Sequence, residues 1–389
     1  MGQCFLYKRG SGGGGGVVGK EATAKGSVLS LANSLERPLK GLRIFGRTSQ
    51  NGTPTPDAPV ALVSPGDDGV LDVNIVGKNL LEVNFAKRTD RGVTFEGDGA
   101  GGVIVSGSAS SYPYCAVGQV YLIANVAYSA FLRGNIPNTL KMRIVDRTVS
   151  PVYIPAQGAA ANSFKAKTSG WYLYELTTDP GFDGSFTCYP QIEAAAAVTD
   201  YEPYKTAKTL PLPTPNGLPG ISVASGGNYT DSNGQQWVCD EVDFSRGVYV
   251  QRTQVYSFTG DENVSAPYWD ATGFYYNIGS YGYPAPINGS ELVTTPCSHT
   301  TGRGALVQGT LFFRNIGSFT SQAEAKAWLK SQYNAGTPFT VLYQLATPVE
   351  TPLSAEALTA YAALHTNYPN TTIYNDGGAE MYVKYMSGG

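Results

Sequence analysis

Apolar and polar positions alternate in short runs along most of the chain, and Gly, Pro, Asn and Asp break the runs. From Val73 to about Thr206 the pieces "VTF", "GVIVSGSA", "QVYLIANVAYSAFL", "LKMRIV", "SFKAKTSGWYLYEL" and "GSFTCYPQIEA" recur about every dozen residues, with turn chemistry between them. This spacing predicts a jelly-roll β-sandwich over residues 73–205. Before it, residues 27–72 carry short apolar runs around Leu42, Ile44 and Phe45 and around Val60, Leu62 and Val63. These are separated by "QNGTPTPDAP" and closed by "PGDDG", which predicts a small β module with a Pro-rich crossing. After Tyr204, "KTLPLPTPNGLPG" marks a boundary, and residues 206–389 stay strand-like until near their end. The flanking pieces 27–72 and 206–389 read either as two domains or as one discontinuous domain.

The period changes twice near the C-terminus. Ser321-Gln322-Ala323-Glu324 has the form of a capping box; Ala325, Trp328, Leu329 and Tyr333 follow on one face, and Gly336 and Pro338 supply a stop. A helix is predicted near 321–334. A second, near 355–366, starts after Ser354, is expected to bury Leu358, Tyr361 and Ala362, and ends before Tyr368-Pro369. "FTVLYQLATPVETPL" between the helices and "AEMYVKYM" after them read as strands. The fold class is therefore mainly β: a jelly-roll β-sandwich plus β-rich flanking domains with two short C-terminal helices.

Composition narrows the partners. Charged residues are 15% of the chain, below the roughly 25% usual in soluble domains, and the net charge is −3 with no Lys/Arg run. Nothing here forms an electrostatic footprint for nucleic acid. No apolar run approaches the roughly 20 residues that span a bilayer, and "MGQCFLYKRG" lacks the apolar stretch of a signal peptide, so a chain made in the cytosol without membrane insertion is expected. "MGQCFL" superficially matches a myristoylation start, but Leu6 stands where Ser or Thr belongs. The five cysteines are odd in number and scattered, which predicts buried thiols rather than a disulfide framework.

Motifs for catalysis or cofactors are incomplete. Gly14, Gly19 and Lys20 have P-loop spacing, but Glu21 replaces the magnesium-binding hydroxyl and no helical period follows, so the Gly-rich residues 1–26 read as a tether. Gly97, Gly99 and Gly102 match G-x-G-x-x-G, yet β-branched residues follow, which predicts a hairpin turn. Cys297 and His299 supply two ligands where structural zinc needs four, and His365 reads as a core-edge side chain that finds a hydrogen bond. No nucleophile elbow is present, since "GISVA" lacks its second glycine. Asp240, Glu241 and Asp243 in "CDEVDF" are crowded carboxylates; on a strand Glu241 and Asp243 share a face, and exposed strand carboxylates need no catalytic explanation. No catalytic residue, metal or cofactor is therefore expected. The richest local feature is "APYWDATGFYYNIGSYGYPAP". Its Tyr268, Trp269, Tyr275, Tyr276 and Tyr281 are candidate glycan contacts, because aromatic rings stack on the apolar faces of sugars. The favoured reading is that these tyrosines pack a strand or a subunit interface, where Tyr is also enriched.

Several phrases together resemble structural proteins of tailed bacteriophages and prophages of Gram-positive bacteria, of the tail-tip, baseplate or fibre-associated kind. They include "PLKGLRIFGRTSQNGTPTPDAPVALVSPGDDG", "GKNLL", "YPQIEAAAAVTDYEPYK", "WVCDEVDFSRGVYVQR" and "LYQLATPVETPLSAEALTAYAALHTNYPNTTIYNDGGAEMYVKY". The resemblance runs from about residue 36 onward. "QIE…TDYEPY" is similar to the closing strand of carbohydrate-binding-like sandwich modules, although "IEAAAAVT" stands where such modules often have "LExGSxAT". The resemblance implies a virion component that is not an enzyme, self-associates (a homotrimer is favoured), contacts other virion proteins and presents a glycan-binding-like domain to the host surface. A head decoration or collar protein and a cell-wall glycan hydrolase are the alternative readings. Residues 1–26 lie outside the resemblance and are a candidate anchor to the virion.

Overall fold

The computed structural model describes residues 20–33, 36–50, 52, 60–146, 156–157, 162–266, 274–277, 293–295, 305–307, 310–313 and 319–387. It is mainly β, with several antiparallel sheets and two short helices. The chain divides into two compact units: residues 1–40, 72–211 and 359–389 form one, residues 41–71 and 212–358 the other. Neither unit is a continuous stretch. Strand Val28–Ala32 pairs with Asn370–Asn375 and strand Lys40–Phe45 with Glu241–Asp243, so the 27–72 stretch contributes strands to partners far away in sequence. The Gly-rich arm ends earlier than its composition indicates. Lys20–Gly26 is a strand paired antiparallel with Met381–Ser387, with exposed Glu21, Thr23 and Lys25 alternating with half-buried Ala22, Ala24 and Gly26.

The first unit contains a two-sheet sandwich. One sheet orders Asn162–Lys165, Ala127–Arg133, Asp183–Glu193, Val103–Ser108, Val93–Gly97 and Arg88–Asp90. The other orders Ala156–Gln157, Leu140–Asp146, Gly170–Thr178, Tyr114–Leu122 and Glu82–Val83. Alternate residues point inward, so Val93, Phe95, Val103, Val105, Val120, Leu122, Met142, Ile144, Tyr172, Tyr174 and Ile192 fill one buried core. The 97–102 glycines make the expected hairpin: Gly97 pairs with Val103, and Asp98 Oδ1 accepts the Ala100 and Gly102 N–H groups at 2.7 and 2.8 Å.

Part of the outer face of the six-stranded sheet, over Ala127–Arg133 and Asp183–Glu193, is covered by the chain that follows its closing strand. Gln191 and Glu193 point outward from Asp183–Glu193 yet are buried, because residues 194–202 fold back over them. Gln191 Oε1 accepts the Glu202 N–H at 2.8 Å, and Glu193 accepts the Thr199 N–H and Oγ1–H, both at 2.7 Å. Ser129 Oγ donates to Ala195 O at 2.9 Å and Arg133 to Thr199 O at 3.2 Å. The "QIE…TDYEP" phrase is thus a strap whose backbone is satisfied by the side chains beneath it.

In the second unit, Lys40–Phe45, Glu241–Asp243, Val248–Ser257, Thr340–Pro352 and Val293–Thr295 lie side by side, the Val248 strand carrying a register shift between Gln251 and Thr253. Helix Gln322–Asn334 buries Ala325 and Leu329 against Phe258, Phe339 and Tyr343, with Trp328 packed at the edge. Tyr333 faces solvent, one turn beyond the buried stripe. Ser321 Oγ accepts the Glu324 N–H at 3.3 Å; the Glu324 carboxylate reaches back to the Thr320 N–H and hydroxyl, one residue before the N-cap. Helix Ala355–Ala362 corrects the expectation of a buried face. None of its residues is buried, and Leu364, just past its end, is the apolar side chain that goes inside. Two turns are too short to present a full apolar stripe.

Candidate functional site

Of the aromatic residues nominated from sequence, Tyr268, Trp269 and Tyr281 lie outside the described residues, as do Cys297 and His299. The backbone of Tyr275 and Tyr276 lies in strand Phe274–Asn277, opposite Phe312 and Leu311. His365 makes an isolated bridge with Pro38, and its Nδ1 lies 3.0 Å from Ala363 O. Cys115, Cys188 and Cys239 are buried free thiols; burial pushes Cys115 up to about 11 and Cys188 to about 12. Among the described residues no cluster of three metal-binding side chains occurs, and no helix is long and apolar enough to cross a membrane.

The crowded carboxylates are buried, contrary to their reading as exposed strand residues: Asp240 and Glu241 are 1% exposed and Asp243 4%. Pairing Asp243 with Arg43 and Glu241 with Phe45 places all four side chains on one face, with the Arg43 guanidinium 4.9 Å over the Phe45 ring and Phe45 stacked on Tyr229 at 4.7 Å. Glu241 Oε1 receives Arg43 at 2.5 Å, and Oε2 receives Arg252 at 3.0 Å and Asn228 at 3.4 Å. Asp243 Oδ1 accepts Ser245 Oγ–H at 2.5 Å and the Ser245 and Arg246 N–H groups. Asp240 Oδ1 accepts the Arg252 and Thr253 N–H groups at 2.7 Å each, capping the register shift, while Tyr249 donates to Oδ2 at 2.7 Å. Desolvation pushes Asp240 up to about 6 despite these donors. Every oxygen is directed at a protein donor or cation, so the chemistry of this cluster is to hold strands together.

The face with unspent capacity is the outer side of the five-stranded sheet. Core-facing Cys115, Val120 and Leu122 alternate with outward Tyr114, Ala116, Gln119 and Tyr121 on one strand. The neighbouring strand turns Trp171, Leu173, Glu175 and Thr177 the same way, and the next one Lys141 and Arg143. Trp171 pairs with Tyr121 and is 58% exposed. Its indole stands edge-on to the Tyr121 ring at 5.5 Å; Tyr121 is fixed by stacking on Tyr374 at 6.2 Å and by donating its hydroxyl to Asp376 O at 2.5 Å. At the other end Tyr114 pairs with Thr177 and is 37% exposed, with Tyr112 59% exposed beside it in sequence. Six strand residues separate the two ends, roughly 20 Å. Between them lie exposed Gln119 and the Arg143–Glu175 pair at 2.5 Å.

A hairpin from the other sheet completes the Tyr114 end. Strands Arg88–Asp90 and Val93–Gly97 are joined by Arg91 and Gly92, both at positive φ (49° and 86°), the two-residue turn that matches strand twist. A Cβ at Gly92 would lie 2.3 Å from Ser108 O, so only glycine fits there. The hairpin sets the Arg88 and Arg91 guanidinium carbons 5.2 and 5.9 Å from the Tyr114 ring centre, where Arg143 of strand Leu140–Asp146 also lies, at 5.2 Å, while Asp90 Oδ2 accepts the Tyr114 N–H at 2.9 Å.

Sequence reading passed over Trp171 and Tyr114 because each sits in an ordinary alternating strand. The available signal was parity: a Trp on the polar phase of "SGWYLYEL" points outward. Compared with protein-family models, with curated proteins and with solved structures, the chain matches none.

Proposed function

We propose that the protein is a non-enzymatic surface-recognition component whose sandwich binds carbohydrate along the outer face of the five-stranded sheet. The observation that carries this reading is Trp171, a large ring more than half exposed on the outer face of the sheet and packed edge-on against Tyr121. An exposed indole packed against Tyr121 offers a stacking surface for a sugar at little cost in side-chain entropy, and exposed Gln119 and half-buried Thr177 along the same face supply hydrogen-bond partners for hydroxyls. The resemblance to phage tail, baseplate and fibre proteins gives the setting: a virion subunit, repeated by symmetry, that attaches to a host-surface glycan through individually weak sites.

The test is binding of the full chain to host cell-wall material and to soluble polysaccharides, with released reducing ends assayed in the same tubes. The expected result is saturable binding without release, weakened at least tenfold by Trp171→Ala. Binding indifferent to Trp171→Ala, or no binding, would overturn the proposal of this face; release of sugar would overturn the non-enzymatic reading.

A further inference from the structure

The Tyr114 end of this face differs in chemistry from the Trp171 end. We infer that it is a subsite for an acidic pyranose, a sugar ring bearing a carboxylate, within the carbohydrate-binding face proposed above, on which this inference rests.

The cations around Tyr114 fall into two kinds. Arg143 is neutralised by Glu175 and Lys141 by Asp179, both at 2.5 Å. Arg88 and Arg91 are exposed and form no ion pair among the described residues. Counting Arg88, Arg91, Arg143 and Lys141 against Asp90, Glu175 and Asp179 leaves four positive charges to three negative. Asp90 spends one oxygen on the Tyr114 N–H. Arg91 donates to Tyr112 O, which leaves other guanidinium donors of its planar fork unassigned.

Geometry links the charges to a ring. The guanidinium carbons of Arg88 and Arg91 lie over the Tyr114 ring, 5.2 and 5.9 Å from its centre, so a sugar resting against the part of the ring that stays exposed meets both cations. A pyranose on Tyr114 would turn an acidic substituent toward two donors able to grip a carboxylate bidentately. An open-chain polyol phosphate has the anion without the ring and would leave Tyr114 unused, so a ring-borne carboxylate fits both features. Arg91 also holds a left-handed backbone conformation that non-glycine residues seldom adopt, and the tight turn it forms directs its side chain to Tyr114.

The experiment compares the full chain on polygalacturonate, its fully methyl-esterified form, a neutral β-glucan and poly(glycerol phosphate). We expect about tenfold tighter binding to polygalacturonate than to the methyl ester at low salt, with the ratio collapsing toward one at high ionic strength. The paired substitution Arg88→Gln and Arg91→Gln should abolish the ratio and leave binding of neutral glucan intact; both sites are exposed, so the thermal midpoint serves as the folding control. Arg88→Lys with Arg91→Lys should keep only part of the ratio, since the charge remains and the fork is lost. An unchanged ratio in the Gln variant, with Trp171→Ala still weakening every polysaccharide, would overturn this inference alone. Preference for poly(glycerol phosphate) would overturn it in favour of a phosphate site. Loss of binding in no variant, or no binding at all, would overturn the carbohydrate reading and this inference with it.

Discussion

The acidic strand of one unit and the open sheet face of the other both set an arginine against a glutamate across antiparallel strands, but they use the pair differently. Glu241 is 1% exposed and bound by Arg43 and Arg252, and its neighbours Asp240 and Asp243 are equally enclosed. Glu175, itself only 7% exposed, meets Arg143 at a comparable distance, but on a face that also carries an exposed Trp171, Tyr114 and two arginines outside any described ion pair. The difference teaches that crowding of charged residues does not mark a site. A site needs polar and aromatic groups whose partners are not already supplied by the protein, at a place where a ligand can arrive.

The largest test of that contrast is removal of Glu241. Glu241→Ala leaves Arg252 without its anion and Arg43 with only Asp243, 3.6 Å away, and we expect denaturant unfolding to show a loss of about 3 kcal/mol with carbohydrate binding per folded molecule unchanged. A loss below about 1 kcal/mol would show that the network is not structural.

Next comes the proton on Asp240. Its folded carboxyl holds the proton from its ordinary 3.8 up to about 6, so the folded state binds protons more strongly than the unfolded chain. The stability this group contributes is therefore fully present below about pH 4 and is lost as pH rises through about 6, a swing of about 3 kcal/mol. Asp240→Asn keeps an oxygen for the Arg252 and Thr253 donors and offers Tyr249 an N–H instead. The variant should flatten the pH dependence between 4 and 6, measured by denaturant midpoints at fixed ionic strength. An identical pH profile for variant and parent would assign the titration elsewhere.

On the open face the expected effect moves from stability to binding. Trp171→Ala should cost at least tenfold in polysaccharide affinity, about 1.4 kcal/mol, while unfolding free energy stays within about 0.5 kcal/mol. If stability fell and binding did not, Trp171 would belong with Glu241 as a packing residue. The smallest effect is expected at Arg246, whose exposed Nη2 reaches both Glu350 carboxylate oxygens, at 2.7 and 2.6 Å. Arg246→Gln should leave the thermal midpoint unchanged, which separates a good-looking surface ion pair from the buried network.

What could be read from the chain was local. The 97–102 hairpin, the capped helix after Ser321 and the strand spacing of the sandwich follow from turn residues, caps and period-two alternation within a few residues of one another. The same logic overreached at Ala355–Ala362, where a periodic pattern was present but none of the helix's residues is buried.

Tertiary structure decided everything that depends on residues far apart in the chain. Asp240, Glu241 and Asp243 look alike in sequence to exposed strand carboxylates; they are interior because Arg43, some 200 positions earlier, lies across from them. The two outer faces of the sandwich are written in similar alternating strands; on one, Gln191 and Glu193 are buried because residues 194–202 return over them, whereas on the other Gln119 and Trp171 stay exposed. Alternation states which side chains leave the core. Only the path of the rest of the chain determines whether they meet protein or water, and that path is set by long-range pairing between strands.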